Sequence, residues 1–134
     1  MTSSTTRRRG LLIVDHGTRS AEANEPLARL AREVARARPD WLVEHAHMEL
    51  SEPDFATGID RLVARGADEV LVHLHFLGVG YHVRETIPDL VRAARERHPH
   101  LPIETTSPLG EDARIAEIIL SRMDDQPARD RQSS

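Results

Sequence analysis

The sequence contains no cysteine among its 134 residues. This absence excludes a disulfide scaffold, a thiolate zinc site, an iron–sulfur cluster and a cysteine nucleophile. Lysine is absent as well, so all 18 basic residues are arginine and a lysine Schiff base is excluded. Any metal ligand must therefore be an imidazole, a carboxylate or a carbonyl group, and anions must be recognised by guanidinium groups.

Long apolar runs and an excess of positive charge are also lacking. No apolar stretch approaches the roughly 20 residues of a membrane-spanning helix. The apolar run at residues 11–14, which follows three arginines, is too short for the core of a signal peptide. With 18 basic and 22 acidic residues, the formal net charge is −4, which argues against nucleic-acid binding. We therefore expect a cytoplasmic protein with neither a membrane nor a nucleic-acid partner.

Between two polar ends, the residue pattern alternates four times between strand and helix. Residues 1–9 and 124–134 are predicted to be disordered tails, which leaves residues 10–123 as one folded domain. Strands are predicted at residues 11–14, 42–50, 69–76 and 101–106. Helices with apolar stripes at helical spacing are predicted at residues 21–38, from 55 to Gly66, at 84–97 and from Gly110 onward. In the last helix, Ile115, Ile118 and Ile119 are predicted to face the core.

This alternation predicts an α/β fold: a four-stranded parallel sheet with helices on both faces, built from βα repeats as in flavodoxin-like proteins. Right-handed crossovers bring the carboxyl ends of all strands to one edge of such a sheet. Ligands bind beyond that edge. The segments DHGT, MELSEP and LGVGYH follow the first three strands, so we expect the functional residues to lie in them.

Two histidines in these segments are candidate metal ligands. His16 lies just past the first strand and is followed by Gly17, which permits close approach of the backbone. His82 follows the loop after the third strand and precedes the predicted start of a helix. Because parallel strands return to one edge, the two imidazoles could face one ion across a cleft. Imidazole suits cobalt, nickel, iron and zinc. The alternative for each residue is an ordinary loop histidine.

A carboxylate at the end of the second strand is the third candidate. Glu49 could ligate a metal or accept a proton, so it is predicted to be catalytic together with His16 and His82. Residues that could contact an anionic or planar substrate are Arg19, Gly78, Gly80, Tyr81 and Arg84. The arginines could pair with carboxylates and the tyrosine could stack, although exposed surface positions would explain these residues equally well.

Four further histidines lie within the predicted inner strands. Alternation with period two places His45 and His47 on one face of the second strand, and His73 and His75 on one face of the third. They could form a second metal-holding or proton-relaying patch, or they could be packed core or interface histidines.

Several segments, taken together and in this order, resemble the small sirohydrochlorin chelatases. The resemblance is carried by LLIVDHGTRSAEANEPL, by VEHAHMELSEPDFATGIDRLVARGADEVLV, by HFLGVGYHVRETIPDLV and by SPLG, and it covers residues 11–123. The family includes sirohydrochlorin ferrochelatases of siroheme synthesis and short cobaltochelatases of cobalamin synthesis. This chain departs from the family pattern in the loop HFLGVGYH, where Val79 and Tyr81 replace a proline and an arginine, and at Thr86, where an acid is frequent.

The resemblance implies a function and a ligand set. It implies ATP-independent insertion of a divalent ion (Co²⁺, Fe²⁺ or Ni²⁺) into sirohydrochlorin or a related tetrapyrrole, with the ion as substrate and no permanently bound cofactor. The metal-site histidines of the family match His16 and His82. Short members of the family pair as homodimers, so a homodimer is expected.

Two other functions fit parts of the sequence. A non-catalytic carrier of metal or tetrapyrrole would need the same fold and the same histidines. A histidine phosphatase is suggested by LLIVDHGT, but Asp15 stands where that chemistry needs a phosphate-binding arginine.

Overall fold

The computed structural model describes residues 7–127, which form a four-stranded parallel sheet with flanking helices. In chain order the elements are β1 (Arg9–Asp15), α1 (Ala21–Ala37), β2 (Trp41–His47), α2 (Phe55–Ala64), β3 (Glu69–Leu74), α3 (Tyr81–Arg97), β4 (Ile103–Thr105) and α4 (Arg114–Asp125), with a short 3-10 helix, Leu109–Glu111, before α4. The strand order is β2-β1-β3-β4 and every neighbouring pair is parallel. The predicted α/β fold class is confirmed.

Residues 11–14 of the central strand β1 are all apolar because both faces of the strand are covered. On one face, Ile13 packs with Leu27 and Ala31 of α1. On the other face, Leu12 and Val14 belong to the larger core cluster, to which α2 and α3 contribute. A parallel strand with helices on both sides has no solvent-facing positions to fill with polar residues, which explains the loss of alternation.

Local sequence determines where α1 and α2 begin. The hydroxyl of Ser20 accepts a hydrogen bond from the Ala23 amide at 3.1 Å, and the carboxylate of Asp54 accepts one from the Thr57 amide at 2.9 Å. Each side chain satisfies an amide that the first helical turn leaves without a partner.

Three predicted boundaries near the carboxyl edge were wrong. β2 ends at His47 rather than at residue 50; two more backbone hydrogen bonds to the end of β1 follow, and the chain turns at Leu50, which has a φ of 73°. β3 ends at Leu74, two residues early. α3 begins at Tyr81 instead of residue 84, after an extended Gly80. Glu49 therefore lies in a loop, whereas His82 lies in the first turn of a helix.

The predicted inward orientation of the last helix was also wrong. α4 starts at Arg114, after the short 3-10 helix, and Ile118 and Ile119 are 53% and 55% exposed. No residue of α4 is buried. Its apolar residues recur at helical spacing as predicted, but most of them are exposed.

Most of the two predicted tails lies outside the described residues. Where the predictions overlap residues 7–127, Arg9 opens β1 by pairing with Trp41 and Glu69, and the last turn of α4 includes residues 124 and 125. None of the helices described here has both the length and the apolar character that crossing a lipid bilayer requires.

Candidate metal centre

His16, Glu49 and His82 meet at the carboxyl edge of the sheet. The Glu49 carboxylate lies between the two rings, with Oε2 3.2 Å from His16 Nε2 and Oε1 3.1 Å from His82 Nε2. One ligand atom from each residue lies within 4.8 Å of the other two. Within residues 7–127, no other group of three histidines or acids is this close. The structure thus brings together the three predicted catalytic residues from segments far apart in sequence.

Backbone hydrogen bonds hold two of these residues side by side. Beyond the last paired residues of β1 and β2, the Met48 amide bonds to the Asp15 carbonyl at 2.8 Å and the Glu49 amide to the His16 carbonyl at 3.1 Å. Gly17 follows with a φ of +91°, which carries the chain away without a side chain in front of Glu49. His16 and Glu49 are therefore placed by an extension of the sheet.

The hydrogen bonding of His16 favours a cation at this site. Its Nδ1 lies 3.2 Å from the Gly17 carbonyl, which can only accept, so Nδ1 carries the hydrogen in that contact. In the neutral ring, Nε2 then presents a lone pair to the carboxylate of Glu49. Two acceptors facing each other repel, and a metal ion or a proton between them removes the repulsion.

His82 reaches the same point from α3. It is the second residue of that helix, and its side chain is 63% exposed, against 46% for His16 and 37% for Glu49. Thr86, one helical turn later, places its hydroxyl 3.5 Å from His82 Nδ1. A donor or acceptor on the outer ring nitrogen orients the inner one, so Thr86 is positioned to orient the His82 ring.

The five predicted substrate-contacting residues lie around this centre, all outside the core. Arg19 and Arg84 are exposed, and within residues 7–127 neither side chain makes a hydrogen bond or an ion pair. Tyr81 is 77% exposed. A Cβ added at Gly78 or Gly80 would meet no atom within 4 Å, so space is open in front of this loop.

A cavity of about 560 Å³ adjoins this loop. It is bounded by the loop after β3, by the first turns of α3 and by the short helix before α4, and Gly78 and Arg84 line it.

Sequence reasoning missed the role of Gly110 in this region. Its amide bonds to the Phe76 carbonyl at 2.9 Å, and a Cβ there would overlap the Leu77 carbonyl. The segment SPLG therefore supports the loop that leads to His82.

A buried hydrogen-bonded pair beneath the centre was also missed. His47 Nδ1 lies 2.6 Å from Asp15 Oδ1, and His47 is only 1% exposed. The two residues are paired in register across β1 and β2. Because Asp15 directly precedes His16 and His47 lies two residues before Glu49, this pair fixes the ends of both strands that carry the metal ligands.

We expect Asp15→Ala to lower the free energy of unfolding by about 1–3 kcal/mol, because it leaves a buried imidazole without its partner. Urea denaturation of the purified protein measures this loss. Asp89→Ala is the matched control: its ion pair with Arg92 is exposed, so a change below about 0.5 kcal/mol is expected. Equal losses in the two variants would contradict a stabilising role for the buried pair.

The remaining strand histidines form two close pairs, as alternation predicted. The ring centroids of His45 and His47 are 5.8 Å apart, and those of His73 and His75 are 5.5 Å apart. Burial lowers the pKa of His45, and the neighbouring charge of His47 lowers it further. Burial likewise lowers the pKa of His73, with a smaller contribution from His75. Both effects favour neutral imidazoles.

Fold and site together define an α/β protein with a His–Glu–His centre at the carboxyl edge of a parallel sheet, open to solvent. The chain belongs to the CbiX family, whose sequence model matches residues 10–126.

Named relatives and a solved structure agree with this assignment. The chain is 33% identical over 110 residues to a sirohydrochlorin cobaltochelatase from Sulfolobus acidocaldarius, covering 82% of this chain and 85% of that protein. It is 32% identical over 114 residues to the chloroplastic sirohydrochlorin ferrochelatase of Arabidopsis thaliana, covering 85% of this chain and 51% of that protein. The sirohydrochlorin chelatase SirB from Bacillus subtilis, solved in complex with cobalt, superposes with a TM-score of 0.73 at 29% identity, covering 88% and 50% of the two chains. The chain thus spans about half the length of the plant and Bacillus proteins.

Proposed function

We propose that this protein inserts a divalent metal ion, Co²⁺ or Fe²⁺ and also Ni²⁺, into sirohydrochlorin or a related tetrapyrrole for siroheme or cobalamin-type cofactor synthesis. The observation that carries the proposal is the convergence of His16, Glu49 and His82 within 4.8 Å at an open edge of the sheet. The names of the related chelatases supply the substrate class. The reaction requires no ATP.

The first step for such a centre is to bind the ion and replace part of its hydration. Two imidazole nitrogens and one carboxylate oxygen are ligands that suit cobalt, nickel and iron. Three protein ligands leave further positions open, so an incoming pyrrole nitrogen can reach the ion. The partial exposure of all three side chains provides this access.

The second step is proton removal. Insertion replaces two pyrrole N–H hydrogens by one divalent ion, so two protons must leave the macrocycle. Glu49 is positioned to accept one, because its carboxylate lies within hydrogen-bond distance of both rings and can pass a proton to either. An imidazole released from the ion during transfer can accept the other.

Substrate carboxylates have positively polarised partners around the centre. Arg19 and Arg84 are exposed and unengaged within residues 7–127, and guanidinium groups bind carboxylates in a bidentate way. Gly80 offers no side chain to cap α3, so amides of its first turn can also bind an anion. Tyr81 is placed to stack on the macrocycle.

Anaerobic spectrophotometry of sirohydrochlorin with Co²⁺, Fe²⁺ or Ni²⁺, with and without the protein, tests the proposal. We expect the absorbance change that accompanies metal insertion to be faster with the protein than without it. The order of the rates with the three ions gives the metal preference. Tight binding of ion or macrocycle without faster insertion would instead support a carrier. Hydrolysis of a generic phosphomonoester would support the phosphatase alternative.

We further propose that the protein acts in the cytoplasm as a homodimer. Apolar residues recur at helical spacing along α4, at Ile115, Ile119 and Met123, and Met123 is 64% exposed. A helix that leaves such a stripe exposed is suited to bury it against another subunit. The plant and Bacillus relatives are about twice this length, so a pair of these chains would match one of them in length.

We expect Ile119→Glu to convert the dimer to a monomer, halving the mass measured by sedimentation equilibrium, because it places a charge in the apolar stripe. Ser121→Glu is the control, since it adds the same charge on the opposite side of the same helix. A dimer that survives Ile119→Glu, or a monomeric parent protein, would refute the proposed interface.

A further inference from the structure

His73 and His75 form a second pair of closely spaced imidazoles that the proposed reaction does not use. His73 Nε2 and His75 Nδ1 are 3.3 Å apart. Alternation along β3 places both rings on the sheet face that also carries Ile13. There they line a cavity of about 390 Å³ whose other walls are largely apolar. Both residues are half-buried.

The separation of the two nitrogens matches the geometry of a shared ion. Imidazole nitrogens bind Zn²⁺ or a similar ion at about 2.0–2.1 Å, so two of them on a tetrahedral ion lie about 3.3 Å apart. Without an ion, one ring must donate a hydrogen bond to the other. With an ion between them, each ring carries its hydrogen on the outer nitrogen and turns a lone pair toward the ion.

The surroundings favour a cation between neutral rings. The main-chain amide of His75 bonds to the Val14 carbonyl, which makes Asp15 the next residue of β1 beside His75 on this face. Its carboxylate, already paired with His47, contributes negative charge without reaching both nitrogens. The hydroxyl-bearing Thr106 lines the cavity as well.

We propose that His73 and His75 bind a second divalent transition-metal ion of the kind imidazole prefers, namely Co²⁺, Ni²⁺, Cu²⁺ or Zn²⁺. With two protein ligands and water in the other positions, this site binds more weakly than the His16–Glu49–His82 centre and exchanges its ion readily. The site does not depend on the proposed function, because it requires no tetrapyrrole.

Calorimetric titration of the metal-free full-length protein with Co²⁺, under anaerobic conditions, tests this site. We expect two ions per chain for the parent protein, and one for either His16→Ala/His82→Ala or His73→Ala/His75→Ala. The ion that His73→Ala/His75→Ala retains also reports that this variant is folded. His98→Gln/His100→Gln removes two histidines of the same spacing from a loop and is expected to keep both ions.

A second measurement avoids substitution altogether. In ¹⁵N-detected histidine spectra of the parent protein, Zn²⁺ should shift His73 Nε2 and His75 Nδ1 in addition to the nitrogens of the open centre. One ion per chain in the parent protein, two ions in His73→Ala/His75→Ala, or ring nitrogens of residues 73 and 75 that ignore Zn²⁺ would each overturn the proposal. Metal insertion is read separately, so its failure would leave this result intact.

Discussion

His16→Ala and His82→Ala are each expected to reduce the rate of metal insertion by more than about 100-fold while leaving the fold intact. Loss of a residue that only orients a metal ligand costs about 10–100-fold, so loss of a ligand itself should exceed that range. In either variant Glu49 keeps a single imidazole neighbour. Both histidines are partly exposed, so neither truncation opens a cavity in the core.

The measurement is the initial rate of the sirohydrochlorin absorbance change at saturating metal. His100→Ala serves as the control, because this exposed histidine lies in the connection between α3 and β4. Circular dichroism and the thermal midpoint should match the parent protein in all three variants. Unimpaired insertion in both His16→Ala and His82→Ala would rule out the proposed mechanism, whatever metal the protein binds elsewhere.

The meeting of His16 with His82 could be predicted because it depends on topology. Apolar runs identified the strands, and helices between them implied parallel strands whose carboxyl ends share an edge. That rule needs no knowledge of loop geometry, so it brings together residues 66 positions apart. Their ring centroids lie 6.3 Å apart. Glu49 was found by the same argument.

The Asp15–His47 pair could not be predicted, because it depends on register. Alternation places each side chain on a face of its own strand, but it does not say which residue of β1 lies opposite His47. The register Asp15↔His47 is set by the combined packing of α1, α2 and both strands. An aspartate at the end of a strand, followed by histidine and glycine, is equally typical of an ordinary turn.

The predicted orientation of α4 was wrong for a related reason. A hydrophobic stripe predicts that a helix face is buried, but not whether its partner is the same chain or another one.

The backbone conformation of Leu50 could not be predicted from the sequence either. This residue adopts a φ of 73°, which is unfavourable for a residue with a Cβ, directly after Glu49. Such conformations are imposed by the surrounding loop, and the conformational preference of leucine does not predict them.

Gly17→Ala is expected to damage both stability and metal insertion. Its φ of +91° already disfavours any side chain, and an added Cβ would overlap the Glu49 carbonyl oxygen and lie 2.8 Å from His47 Cβ. Neither neighbour can move away cheaply. The Glu49 amide is bonded to His16, and the His47 side chain is buried against Asp15. Relief requires the ends of β1 and β2 to separate, which displaces two metal ligands together.

Gly66→Ala isolates the conformational part of this effect. Gly66 has a similar φ of +100°, but a Cβ there meets nothing within 4 Å. We expect Gly66→Ala to cost about 1–2 kcal/mol in unfolding free energy with unchanged insertion. Gly17→Ala should cost about 1–3 kcal/mol more, as overpacking does, and should also lower insertion at least about tenfold. Urea denaturation and the insertion assay measure both quantities. If the two variants behave alike, the tight contact between Gly17 and the Glu49 loop does not position the metal ligands.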